Sequence, residues 1–260
     1  LLFASALAGL FLAAACQQES LEPVGGNTVT YTVQVPDALA TKAAVGDEYV
    51  ADHLIYEVYR DAELSDLTKA PIYEGTATIN AQGQASLELE FVKNQNFTVL
   101  FWAQKSGVAA YNTADLRKVT LNQALTSNDV NMAVYAGTDK VANCVSATNG
   151  AVTLSRPIAQ LNLATAPESL TIGTNATPTI TLVSSYAKVT GLSTTYNVAT
   201  KAVGADESEF IYADAPVLAA TLEVNSKQYP YASMNYVGFI AEEGATIDVE
   251  YILTTSEGEI

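Results

Sequence analysis

Few residues of this sequence have the types and the spacing that catalysis or metal binding would require. His53 is the only histidine among 260 residues, which excludes a metal site built from several histidines. A nucleophilic pair of His53 and Cys144 is conceivable, but a reactive thiol needs a cationic neighbourhood, and none is evident around Cys144. We therefore expect His53 to be a polar residue at the entrance of a strand and Cys144 to be small and partly buried.

The acidic segment Asp206–Glu209 could bind Ca²⁺ weakly, but a solvated loop is the more usual role of such a run. The sequence contains no Gly-x-Ser-x-Gly elbow, no phosphate-binding loop and no calcium-loop spacing. We therefore predict a protein that is not an enzyme and that uses no metal and no cofactor.

The residue best placed for chemistry is Cys16, whose thiol we expect to be acylated. It follows Leu1–Ala15, an apolar segment without charge or proline, shorter than the roughly 18–20 residues of a membrane-spanning helix. Such a segment, ending in the small residues Ala14 and Ala15, is typical of a secretory signal peptide, and a cysteine at its edge indicates a lipoprotein. The alternative is an ordinary signal peptide with an incidental cysteine. If Cys16 is acylated, Cys144 has no partner, and we expect no intramolecular disulfide.

The basic start of a signal peptide is missing, so we expect the precursor to extend before Leu1. Because the sequence ends in what reads as a turn after a strand, we also expect it to continue beyond Ile260.

The net charge is −16, from 28 acidic and 12 basic residues. Nucleic-acid binding needs a basic stripe, and adhesion to anionic lipid headgroups needs a polybasic patch; the sequence has neither. An acidic surface suits a soluble body outside the cell and repels unassembled copies from one another.

The first predicted element is a strand in which polar and apolar residues alternate without interruption. After a tether at 16–27, Thr28–Val35 places one apolar set on one face and a polar set on the other. This pattern predicts a half-buried strand, which Pro36 ends. The buried set is Val29, Tyr31, Val33 and Val35. The following segment, Ala38–Gly46, is predicted to be an exposed connection and carries Lys42.

Further strands are predicted from alternating or continuous apolar runs, and Phe97–Ala103 is expected to be a central strand covered on both faces. Pro157 predicts a bulge or a sheet edge, since proline cannot donate to the ladder. Residues 107–140 are less regular, with short helices expected at 112–118 and 122–127. The remaining predicted strands are Leu54–Tyr59, Ile72–Ile79, Ser86–Phe91, Val152–Leu154, Ile158–Leu163, Thr179–Val183, Leu222–Val224, Met234–Ile240 and Ile247–Leu253.

This spacing of short strands and turns predicts an all-β chain of sandwich domains. We expect an N-terminal β-sandwich domain at 28–165 and a C-terminal one at 166–260, with the break near Thr165–Gly173. Trp102 is expected to pack in a core rather than to serve as a sugar-stacking platform. Arg156 is expected to form a structural ion pair or to cap a carbonyl group. Tyr229 and Tyr231, on either side of a proline, could form an exposed aromatic pair that binds a ligand or a partner protein.

Three segments give the chain a family resemblance: Phe101–Gln104 (FWAQ), Leu154–Asn162 (LSRPIAQLN) and Met234–Val237 (MNYV). Their residues, order and spacing resemble those of the fimbrillin-like lipoproteins of Bacteroidetes. The acidic and amide residues directly after Cys16 are similar to the signal that exports such lipoproteins to the outer leaflet. The resemblance extends from the signal segment to residue 260.

The resemblance implies two transthyretin-like β-sandwich domains in tandem, the second incomplete at its C-terminus in this sequence. It also implies a type V pilus subunit or related adhesin, exported as a lipoprotein and located at the outer membrane and cell surface, or in the fimbria once processed. In that family an arginine-specific protease removes the lipidated end together with the first strand. A strand from another subunit then fills the groove, so the implied partners are other pilin subunits and a host or bacterial surface receptor.

One departure from the family concerns the cleavage site. This chain has Lys42 and Ala43 where the family has a cut after arginine, and an arginine-specific protease would cut there poorly. The main hypothesis is a fimbrial subunit or accessory adhesin, with the exchanged strand contributing Val29, Tyr31, Val33 and Val35. The alternative is a monomeric, lipid-anchored surface protein that binds a glycan or another protein.

Overall fold

The computed structural model describes residues 27–36, 51–122, 129–143, 148–164, 171–172, 180–205, 207–216, 221–224, 227–239 and 246–259. Within these ranges single-turn 3₁₀ helices lie at Leu116–Lys118 and Val130–Met132, and the other regular elements are strands, so the predicted all-β class is confirmed. The strands are β1 (Asn27–Gln34), β2 (His53–Arg60), β3 (Tyr73–Thr78), β4 (Gln84–Phe91), β5 (Phe97–Gln104), β6 (Tyr111–Asn112), β7 (Val119–Leu121), β8 (Tyr135–Val141), β9 (Thr148–Thr153), β10 (Ile158–Ala164), β11 (Thr171–Ile172), β12 (Ile180–Ser193), β13 (Thr195–Tyr196), β14 (Glu207–Ile211), β15 (Ala215–Pro216), β16 (Thr221–Val224), β17 (Lys227–Phe239), β18 (Asp248–Thr255) and β19 (Gly258–Glu259).

Two sheets face each other in the first part of the chain. In one sheet β1 lies between β4 and β9, and in the other the strand order is β3-β2-β5-β8. The ring of Tyr31 in β1 packs edge-on against Phe101 in β5, with centroids 5.5 Å apart. Phe91 in β4 packs against Phe97 in β5 at 5.0 Å. Alternate side chains of both sheets therefore share one core, and the predicted sandwich packing is confirmed.

The strand β5 is the central strand that its apolar run predicts. All eight of its residues are buried, and β2 and β8 pair with it in antiparallel fashion on its two sides. While Phe101 points to the sheet that holds β1, Trp102 packs edge-on against Tyr111 at 5.5 Å and Phe239 at 6.4 Å. The Trp102 indole Nε1 donates to Gln104 Oε1 at 2.8 Å, so its one polar group is satisfied. The expected core role of Trp102 is confirmed.

The later part of the chain is organised by β12, which pairs with β11, β14, β15, β17 and β18. The strand path of this sheet is β10-β17-β12-β18-β19. Gly191 in β12 has φ +80°, and the register against β14 shifts between Val189 and Leu192. A Cβ at Gly191 would lie 2.6 Å from the Thr246 carbonyl oxygen, so the bulge requires glycine both for its backbone conformation and for its close approach.

The first strand after Pro157 is β10, which pairs with β17 with a register shift between Ile158 and Gln160. It ends the strand path of its sheet, so the expected irregularity at the proline is confirmed. This pairing joins β10 to the large sheet, although β10 precedes the expected break near 165–173. The division at residue 165 stays a prediction.

A buried polar network joins the first sandwich to the segment after β6. Glu57 in β2 is 3% exposed and accepts hydrogen bonds from the Tyr59 hydroxyl at 2.8 Å and the Leu116 amide at 3.0 Å. The Arg117 guanidinium lies 4.2 Å from the centroid of the Tyr59 ring and is paired with Asp115. Burial raises the pKa of Glu57, against the opposing effect of its two hydrogen bonds.

Glu57 therefore makes folding pH-dependent in a defined direction. Because the folded-state pKa lies above the ordinary carboxyl value, ionisation of Glu57 penalises the folded state, and the penalty develops as pH rises through that interval. We expect the unfolding free energy of Glu57→Gln, whose amide oxygen can still accept both bonds, to increase relative to that of wild type as the pH rises above the ordinary carboxyl pKa. Urea unfolding at several pH values measures this; a difference that stays constant or shrinks would contradict it.

No helix in the described part of the chain is both long enough and apolar enough to cross a membrane.

Candidate functional site

The first strand, β1, is the element on which the predicted function depends. Its apolar residues lie on one buried face, as the alternation predicts. Val29, Tyr31, Val33 and Val35 are each at most 2% exposed. The threonines between them point to the other face, where Thr32 is exposed. Alternation with a period of two gives a strand one apolar face, and here that face closes the first sandwich.

Both edges of β1 are occupied. It pairs antiparallel with β4 over eight residues, from Asn27↔Phe91 to Gln34↔Gln84. It pairs in parallel with β9 over six residues, from Val29↔Thr148 to Gln34↔Thr153. Withdrawal of β1 would therefore open a groove with two rows of backbone donors and acceptors. There are two such rows because β1 is an interior strand of its sheet.

The middle of the strand is fixed by Tyr31, which spans the sandwich. Its hydroxyl donates to Asp139 Oδ2 at 3.0 Å, and Asp139 belongs to β8 in the facing sheet. The opposite residue in the parallel ladder is Gly150, where a Cβ would lie 2.5 Å from Tyr31 Cε1. The absence of a side chain at Gly150 thus leaves room for the Tyr31 ring, and the Asp139 carboxylate accepts its hydroxyl.

The end of β1 is held by backbone contacts. The Val35 amide donates to the Gly83 carbonyl at 2.8 Å, and the Leu154 amide donates to the Gln34 carbonyl at 2.9 Å. The connection that carries Lys42 and Ala43 leaves from this point, since the described residues stop at Pro36 and resume at Ala51. Lys42 and Ala43, with Cys16 and Cys144, lie outside the described residues.

The other candidate residues are dispersed rather than gathered into a site. His53 is the first residue of β2, as predicted. Glu207 begins β14, and Asp206 lies outside the described residues. Tyr229 is half-buried within β17 and opposite Leu222. Among the described residues, no group of three or more His, Cys, Asp or Glu side chains is placed to hold a metal ion.

Arg156 lines a cleft of about 180 Å³, together with Ser155, Pro157, Tyr196 and Lys201. Its guanidinium lies over the rings of Tyr135, at 5.5 Å, and Tyr236, at 5.4 Å, and Nη2 donates to the Tyr135 hydroxyl at 3.2 Å. These contacts hold the cation at the cleft by aromatic faces. Arg156 and Lys201 give this cleft a local positive charge in a chain whose net charge is −16.

The sequence pattern predicts the four buried residues of β1 but indicates neither Asp139 nor Gly150. Both belong to strands, β8 and β9, in stretches where the pattern is weak. Gly150 is exceptional only because it lies opposite Tyr31, and strand register across 119 residues is not readable from local periodicity. One available signal was the glycine itself, since glycine inside a strand often marks close approach of another group.

Comparison with known proteins places this architecture among proteins of Bacteroidetes. Residues 21–260 match a family described as a family of unknown function, DUF6562. A search of curated proteins finds no match. A solved structure from Bacteroides thetaiotaomicron, named as a candidate polysaccharide-binding protein of the DUF1812 family, shares 10% identity. The alignment covers 88% of this chain and 77% of that one, with a TM-score of 0.51.

A candidate adhesin from Bacteroides ovatus is similar to the same degree, at 9% identity, with 89% and 73% of the two chains covered and a TM-score of 0.51. The fimbrial anchor protein Mfa2 from Porphyromonas gingivalis aligns at 11% identity over 88% and 77%, with a TM-score of 0.46. The expected resemblance to adhesin proteins of Bacteroidetes is confirmed by the structures with a TM-score of 0.51. At such identities the likeness of the solved structures is one of fold.

Proposed function

This chain belongs to the DUF6562 family, and from that premise we propose that it is a structural subunit or accessory adhesin of a cell-surface fimbria, assembled by strand exchange. The single observation that carries the proposal is the position of β1, an interior strand that directly follows the N-terminal segment and fills a groove between β4 and β9. The fold shared with a candidate adhesin supports a role at the cell surface.

The proposed route begins with acylation of Cys16 and export to the outer membrane as a lipoprotein. Cleavage after Lys42 would separate β1 and its lipid from the rest of the chain. An incoming strand could then bond to β4 and β9 at once, with its alternate side chains in the pockets of the four buried residues. At about 1.5–3 kcal/mol for each buried side chain, these pockets offer roughly 6–12 kcal/mol gross, enough for a durable joint.

The same burial means that cleavage alone does not release β1. The cut strand keeps its hydrogen bonds and its apolar contacts, so an incoming strand has to displace it. Exposed strand edges attract other chains, and a groove that stays filled until a partner strand arrives is protected from unwanted pairing.

A second candidate function is that of a lipid-anchored, monomeric surface protein that binds a glycan or another protein. The cleft beside Arg156 and Lys201 favours it, because two cations near a tyrosine suit an acidic ligand. In this function Cys16 would anchor the protein permanently, and β1 would stay in its sheet. No step of either function calls for catalysis.

The two functions differ in what the cell surface displays. We expect the full-length protein, expressed in a Bacteroidetes host, to give a ladder of high-mass species in unboiled surface fractions. Lys42→Ala should remove the ladder, while Lys93→Ala, which changes an exposed lysine in the turn after β4, should preserve it. Cys16→Ala should abolish palmitate labelling. A single lipidated band of full size would contradict assembly and favour the surface-binding function.

A further inference from the structure

The groove that β1 fills contains one pocket shaped for an aromatic ring. Tyr31 is fully buried at its centre, and its ring meets Phe101 edge-on at 5.5 Å with an interplanar angle of 63°. Gly150 lies directly opposite in the parallel ladder. Any side chain there would occupy the space of the ring, since a Cβ would lie 2.5 Å from Cε1 and 2.6 Å from Cδ1. We call this space the Tyr31 pocket; it is bounded by Phe101, Gly150 and Asp139.

The far end of the Tyr31 pocket is polar. Asp139 on β8 is half-buried and accepts the Tyr31 hydroxyl at 3.0 Å. A phenylalanine in the pocket would fill its apolar part but would withdraw a donor from a carboxylate whose access to water is restricted. A valine or leucine would also leave a cavity beneath Phe101. The pocket therefore distinguishes tyrosine from other apolar residues by both size and hydroxyl.

The pockets on either side have a different character. Val29, Val33 and Val35 are at most 2% exposed, and each is a β-branched residue on the same face as Tyr31. Together they define a strand of the form Val-x-Tyr-x-Val-x-Val that runs antiparallel to β4. Alternate side chains give specificity in strand addition, because the main-chain bonds are common to any sequence.

We propose that the Tyr31 pocket selects the strand that enters this groove, and that the partner strand carries a tyrosine at the matching position between β-branched residues. This inference rests on the proposed strand exchange. It identifies the partner by chemistry: a segment of alternating apolar residues whose central member is a phenol. A strand with alanine, valine or leucine at that position would be rejected although its backbone could form both ladders.

The test uses the full chain with a specific protease site introduced into the connection at 37–50, cut so that β1 stays seated. Labelled peptides of sequence 27–35 then compete for the groove, and their uptake is followed by fluorescence anisotropy. Replacement of the peptide tyrosine by phenylalanine is expected to weaken uptake about 10-fold, the effect of one hydrogen bond to a charged group. Replacement by valine is expected to weaken it more than about 100-fold.

Two variants of the protein make the test specific. Asp139→Ala should erase the difference between the tyrosine and phenylalanine peptides, because the acceptor is gone. Gly150→Ala should invert the preference, so that the valine peptide enters at least as well as the tyrosine peptide. If Gly150→Ala does not fold, the Asp139→Ala comparison decides alone, since Asp139 is only half-buried.

The outcomes separate the inference from the function on which it rests. Equal uptake of the tyrosine, phenylalanine and valine peptides by the unaltered groove would overturn the Tyr31 pocket while leaving strand exchange intact. Failure of every peptide to enter, including that of native sequence, would overturn strand exchange itself and this inference with it.

Discussion

Replacement of Tyr31 by alanine is expected to lower the free energy of unfolding by about 3–5 kcal/mol, the range for truncation of a large buried aromatic residue. The substitution removes a side chain of zero exposure, its edge-on contact with Phe101 and its bond to Asp139. Because Gly150 offers no side chain to fill the space, the cavity persists. Trp102, the single tryptophan and itself fully buried, provides a fluorescence signal for urea unfolding.

Two matched variants calibrate this result. Tyr31→Phe keeps the ring and loses the hydroxyl, so it should cost about 1–2 kcal/mol. Thr32→Ser changes the neighbouring residue, which is exposed on the other face of β1, and should cost less than about 1 kcal/mol. Equal losses for Tyr31→Ala and Thr32→Ser would show that β1 contributes little to the core, and strand exchange would then lose its energetic basis.

Arg117→Ala is expected to be as damaging, at about 3–5 kcal/mol, because it removes a buried guanidinium that bonds to two backbone carbonyls, packs on the Tyr59 ring and pairs with the 33%-exposed Asp115. The Arg117 side chain is 2% exposed and pairs with Asp115 Oδ2 at 2.9 Å. Its Nη1 and Nη2 also donate to the backbone carbonyls of Asp66 and Lys69, both at 2.9 Å. The variant would remove the Arg117 donor from the Lys69 carbonyl, whereas the Asp66 carbonyl would keep the Lys69 amide at 3.0 Å. The loop after β2 would lose both of its bonds to Arg117.

The control for Arg117 is Arg60, whose pair with Glu63 spans 3.3 Å at the surface, with side chains 33% and 31% exposed. Arg60→Ala is expected to cost at most about 1 kcal/mol, since solvent screens an exposed pair. Urea unfolding of both variants measures the contrast. Similar losses for Arg60→Ala and Arg117→Ala would contradict a dominant role for the buried network.

Local patterns in the sequence predict what local physics determines. The alternation of Thr28–Val35 predicts which side chains of β1 are buried, and the unbroken apolar run of β5 predicts a strand covered on both faces. Pro157 predicts the irregular pairing of β10. In each case the property follows from a few consecutive residues, because side-chain direction and proline chemistry are set within the strand itself.

Properties that depend on distant partners were not predictable in this way. The strand β12 extends over 14 residues, but its last ten residues read SSYAKVTGLS, in which small and polar residues obscure the period of two. The network of Glu57, Tyr59 and Arg117 joins residues about sixty positions apart. The interior position of β1 depends on the parallel pairing with β9, more than one hundred residues later. Such contacts follow from topology rather than from local propensity.

The mixed pairing of β1 gives any fibre built through this groove a polarity. A strand that entered backwards would be parallel to β4 and antiparallel to β9, with the wrong hydrogen-bond spacing on both sides. A strand that keeps the direction of β1 reproduces both native ladders, and joints made in this way all point the same way. Subunits joined head to tail form an open filament and not a closed pair. Such a filament has unlike ends, a free groove at one and an unused strand at the other, and each end must be started or capped by a different kind of partner.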